Sequence, residues 1–118
     1  MSDADRLLDG LRRQEERYRA VADAVGAQKR AVAASDADGL LAAAGRQGEL
    51  LMEIEKTDAD LAPLRRRWAE LRAAADPGLA RALEEALGRV REILGALVKD
   101  TAPPGPPPQA RARAAYGA

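Results

Sequence analysis

From Leu40 to Ala75 the inward positions recur at alternating steps of three and four: Leu40, Ala43, Gln47, Leu50, Ile54, Thr57, Leu61, Leu64, Trp68, Leu71 and Ala75. That spacing predicts one amphipathic helix with a coiled-coil-like seam. At 1.5 Å per residue, roughly 36 residues extend about 54 Å, too far for the stripe to be buried without other helices beside it. The rest of the chain supplies two. Leu7, Leu11, Gln14, Tyr18, Val21, Val25, Gln28 and Val32 repeat the alternation over a helix predicted at 3–34, and its two Gln weaken the seam while fixing register. Leu79, Leu83, Ala86, Val90, Ile93 and Leu97 define a third helix at 77–99. Leu87, Leu94 and Val98 widen its stripe to about 140°, enough to touch two helices at once.

The boundaries have their own chemistry. Ser2 with Asp5 three residues on has the form of a capping box. The pattern breaks over Ala34-Ser35-Asp36-Ala37-Asp38-Gly39, where Ser35 or Asp36 can cap the second helix. So short a connection makes the first two helices antiparallel neighbours. Pro63 removes one hydrogen bond inside the second helix. Because the seam keeps its phase across it, a helix over 37–75 kinked near Pro63 is favoured over a full break with Asp58 or Asp60 capping a new helix. Asp76-Pro77-Gly78 ends that segment and caps the third helix. The fold class predicted is all-α: an antiparallel three-helix bundle, two long helices forming a coiled-coil-like hairpin plus a shorter third. Residues 1–100 form the helical domain, and 101–118, rich in Pro from Pro103 to Pro108, are expected to be a flexible tail.

Composition narrows the functions. The 118 residues include no Phe, one Trp and two Tyr, so the core is built from Ala, Leu and Val, which suits closely spaced helices. With 19 charges of each sign there is no basic excess to drive nucleic-acid binding. Arg65-Arg66-Arg67 is a basic run, but successive helical residues point 100° apart and make no single phosphate-facing patch. The chain has neither Cys nor His, which removes thiolate chemistry and the usual metal ligand and general base. Asp58 and Asp60 lack the spacing of a calcium loop. The remaining carboxylates, Glu49, Glu53, Glu55, Glu84 and Glu85 among them, read as solvated faces. The expectation is a non-enzyme without cofactor or metal. The acidic N-terminus leads into no signal-like apolar run, and no stretch of about 18 apolar residues follows, so a cytoplasmic protein without membrane insertion is expected.

The back of the second helix is unusual. Leu41, Gly45, Gly48 and Met52 fall at spacings of four, three and four opposite Leu50, Ile54 and Leu61, and Ala59 extends the strip. Each interior Gly costs roughly 1 kcal/mol relative to Ala. A smooth surface for a closely approaching partner helix, with Met as an adaptable contact, is one explanation. Scattered exposed apolar residues and tolerated glycines are the other. Leu87, Leu94 and Val98 pose the same choice between intramolecular core and docking edge.

The order of features resembles the FlgN family of flagellar export chaperones. The likeness lies in Leu7-Leu8 leading to Glu15-x-x-Tyr18, the basic Lys29-Arg30-Ala31-Val32, the acidic turn Asp36-Ala37-Asp38-Gly39-Leu40, and Gln47-x-Glu49-Leu50-Leu51 opening a long helix. It covers roughly Leu7 to Leu71 and returns at Tyr116-Gly117; Pro63, the Pro-rich stretch and the lack of Asn in the third helix depart from the family pattern. The resemblance implies a cytoplasmic chaperone that holds the C-terminal helices of hook-associated proteins at the hook–filament junction, blocks early assembly and delivers them to the type III export gate. The client groove would then comprise Leu41, Gly45, Gly48, Met52, Leu87, Leu94 and Val98, with Tyr116 contacting the export gate. A homodimer of the free protein is compatible with this. The competing class is a structural coiled-coil scaffold or homo-oligomerising adaptor without a client cycle, and a weaker third is a regulator of another protein's helix bundle.

Overall fold

The computed structural model describes residues 2–101. Four helices follow in order: α1 Asp3–Ala33, α2 Ala37–Arg66, α3 Trp68–Ala74 and α4 Pro77–Thr101. The fold is all-α, and the described residues contain no strand. Tail residues from 102 onward, Tyr116 among them, lie outside the described residues.

Each start has a polar reason. The Asp5 backbone N–H donates to Ser2 Oγ at 3.1 Å and the Ser2 N–H returns a bond to Asp5 Oδ2 at 3.1 Å, closing the capping box. Asp36, rather than Ser35, caps α2 by accepting from the Gly39 N–H at 2.9 Å. Ser35 takes the left-handed conformation, φ 55°. It sits where Asp36 N–H reaches back to Ala31 O and Ser35 N–H to Val32 O, the paired bonds of a Schellman helix end. Asp76 caps α4 through the Leu79 N–H at 2.9 Å.

The second helix differs from expectation. Its helical run passes through Pro63 and stops at Arg67, whose φ −99° and ψ 18° leave the helical region. Neither Asp58 nor Asp60 caps a new segment; α3 begins without a side-chain cap. Arg67 at the break bridges two other elements: its guanidinium donates to Asp3 at 2.7 Å and to both oxygens of Glu70 at 3.0 and 3.1 Å. The seam still keeps its phase, since Leu61 and Leu71 on either side are both buried.

α1 is the organising element. It packs antiparallel along α2 on one side and parallel along α4 on the other, while α2 and α4 share no close backbone approach among the described residues. Ala4, Leu7, Leu8 and Leu11 meet Leu61, Leu71, Leu83 and Ala86 in a lower core. Val21 and Val25 meet Leu50, Ile54 and Leu97 in an upper one. Gly10 lets the helices approach: a Cβ there would stand 2.9 Å from Leu61 Cγ. The seam residue Val32 is an exception, 64% exposed. It lies about two turns beyond Val25, past the reach of α4, where only the Ala31 side of α1 meets α2.

Candidate functional site

The consequence of α2 and α4 standing apart is a groove over α1. Leu7, Leu11, Gln14 and Tyr18 line it from α1, at spacings of four, three and four that place them on one face. Asp58, Leu61 and Arg65 form the α2 wall, with Trp68 from α3, and Leu87, Val90, Arg91 and Leu94 form the α4 wall. The cleft encloses about 590 Å³. Its floor is shielded, Leu7 and Gln14 being 0% and 2% exposed, whereas Tyr18, Trp68, Leu87 and Leu94 on its sides are only half-buried.

Both lips continue upward. Leu51 lies two turns before Asp58 on the same face of α2, and Val98 lies one turn beyond Leu94 on α4. They are 45% and 66% exposed. The other side of α1 carries exposed Arg12, Glu16, Arg19 and Asp23. The molecule thus presents one apolar face and one charged face along the same helix.

Polar contacts fix the walls. Gln14 Nε2 donates to Ile54 O at 3.2 Å and to Asp58 Oδ1 at 2.8 Å, setting the register of α1 against α2. Arg17 donates to Thr57 and lies 3.6 Å from Glu53 on the same interface. On the other flank Glu15, 9% exposed, accepts from Arg89 of α4 at 3.1 Å and from Arg19 at 2.7 Å. Both amide hydrogens of Gln14 are engaged on α2; its Oε1 is not. This oxygen is the buried side-chain polar atom left without a partner among the described residues. Burial, and secondarily the Asp58 charge, pushes the Tyr18 phenol above its ordinary pKa and keeps it neutral. Among the described residues no three potential metal ligands converge, and no helix is long and apolar enough to cross a membrane.

The residues singled out from the sequence fall on two surfaces. Leu87 and Leu94 line the groove and Val98 extends its α4 lip, and Leu87 also packs against the lower core, so it serves as both core and groove wall. Leu41 and Met52, both 71% exposed, lie with Gly45 and Gly48 on the outer face of α2, where nothing stands within 4 Å of a Cβ placed at either glycine. Sequence reasoning missed Gln14, Tyr18, Leu51 and Trp68 as site residues. Gln14, Tyr18 and Trp68 read as ordinary seam positions, and the available signal was that each brings a polar atom to its seam, a signal shared with Gln28, Gln47 and Thr57. Comparison with protein-family models, with curated proteins and with solved structures found no match for this chain.

Proposed function

We propose that the protein is a helix-binding chaperone, without enzymatic activity, whose client lies as an amphipathic helix in the groove between α2 and α4. The observation that carries this reading is the groove itself, with a buried floor, half-buried aromatic and leucine walls and apolar lips at Leu51 and Val98. From Leu7 to Tyr18 its α1 lining spans about 16 Å at 1.5 Å per residue, three turns of a client helix, and the lips carry the apolar surface further. The resemblance to FlgN-type export chaperones supports the choice of client: the C-terminal helices of hook–filament junction proteins, held in the cytoplasm and passed to the export gate.

Size-exclusion chromatography with light scattering, on the protein alone and with the C-terminal helical fragment of its own organism's junction protein, tests the reading. A complex of defined stoichiometry is expected, lost on Leu94→Asp with helical circular dichroism retained, and kept on Met52→Asp. A second reading, the homo-oligomeric scaffold, is favoured by the exposed Leu41 and Met52 beside bare glycines. It predicts a constitutive oligomer, no complex with the fragment, and dissociation by Met52→Asp.

A further inference from the structure

Taking the groove as a helix-docking site, as proposed above, two features of its lining specify the helix it receives. Arg91 is an exposed residue of the lining, and it has neither ion pair nor hydrogen bond among the described residues. One turn away on α4 stand Leu87, Gly88, Leu94 and Gly95, so its own helix offers no carboxylate at the positions that could pair with it. Across the groove, Asp58 is occupied by Gln14 Nε2 and by Arg65, 3.7 Å away. Arg91 is therefore the uncompensated charge of the lining. At Gly88 and Gly95 beside it, a Cβ would meet nothing within 4 Å, which leaves the rim open to a closely packed helix. At the floor, Gln14 Oε1 is a buried acceptor without a donor. A buried acceptor left unpaired is unfavourable by about 1–3 kcal/mol, so a small shift of the Gln14 side chain that keeps its Nε2 bonds to α2 and lets Oε1 meet an incoming donor is favoured.

We infer that the groove selects an amphipathic helix carrying a carboxylate on the flank that meets α4 and one hydrogen-bond donor within its apolar stripe, opposite Gln14. Arg91 and Gln14 are the specificity-determining residues. A helix with an unbroken leucine stripe, although more apolar, leaves Oε1 unpaired and binds less well.

The test is isothermal titration calorimetry of the full chain with a blocked 18-residue synthetic helix bearing a leucine stripe, one central asparagine and glutamates along one flank. Replacing the flank glutamates by lysines is expected to weaken binding about 5-fold at low salt, the order of an exposed ion pair. Arg91→Glu should reverse that preference, so that the lysine-flanked helix becomes the tighter ligand. Replacing the asparagine by leucine is expected to weaken binding about 10-fold. Equal binding of all peptides overturns the selectivity and leaves the docking groove standing. Loss of preference for acidic flanks in wild-type protein, or tighter binding of the all-leucine stripe, overturns the role of Arg91 or of Gln14 respectively. No heat with any peptide, in a protein that retains its helical circular dichroism, removes the docking reading together with the selectivity.

Discussion

Gly10 and Gly48 are both interior helix positions, yet alanine should move them in opposite directions. At Gly10 the new methyl meets buried Leu61 from Cγ outward. The overpacking, about 1–3 kcal/mol, outweighs the gain in helix propensity of about 1 kcal/mol, so Gly10→Ala should lower the urea midpoint. Gly48→Ala meets nothing and should raise stability by about 1 kcal/mol. Titration is similarly local. Hydrogen bonds from the Ser2 hydroxyl and then its N–H hold the Asp5 carboxyl below its ordinary range. Arg67 does the same for Glu70, first by hydrogen bond and then by charge. Folded pKa values below the unfolded ones mean a contribution present above about pH 4 and lost as pH falls through the lowered values. With no His in the chain, ellipticity at 222 nm should be flat from pH 5 to 7 and fall only below about pH 4. At this scale the sequence was informative where contacts are local: the Ser2–Asp5 box and the Asp76 cap follow from spacing alone. The tight fit of Gly10 under Leu61 was not legible, because 51 residues of chain separate partners that only the helix register brings together.

Among the elements, the second helix departs most from the sequence pattern. A proline is expected to distort the turn before it, through its missing N–H and its clash with the carbonyl four residues back. Here the helix runs through Pro63 and yields four residues later, where Arg67 bridges Asp3 and Glu70. At the break Arg67 meets side chains from α1 and α3, which no local reading of Ala62-Pro63-Leu64 could include. Pro63→Ala should therefore restore the missing bond and raise stability by about 1–3 kcal/mol in chemical denaturation, since Pro63 is exposed and packs no core. A loss of stability on that substitution would mean that the proline, not the Arg67 contacts, sets the angle of α3. The third predicted helix teaches a related lesson. Its wide stripe was legible, and so was its capacity for two contacts: α4 packs on both α1 and α3, while its Leu87 and Leu94 edge also borders the groove.

For the whole molecule, the seams identified the all-α hairpin and a third helix because burial at a period near 3.5 is a property of each segment. The angle at which α2 and α4 flank α1 is a property of none of them, and it is this angle that creates the groove. Hence Leu87 and Leu94 could be singled out but not assigned, and Tyr18 and Trp68 looked like core. Leu41 and Met52 were legible as exposed, and they are. The central claim is that a client helix enters between α2 and α4. Trp68 is the chain's one tryptophan and lines that groove, half-buried, so its emission reports on the site directly. Titrating the protein with a tryptophan-free C-terminal helical fragment of the junction protein should shift Trp68 emission to shorter wavelength with saturation, and Leu94→Asp should abolish the shift. Formation of the complex with Trp68 emission unchanged, or a shift abolished by Met52→Asp and untouched by Leu94→Asp, would contradict the account.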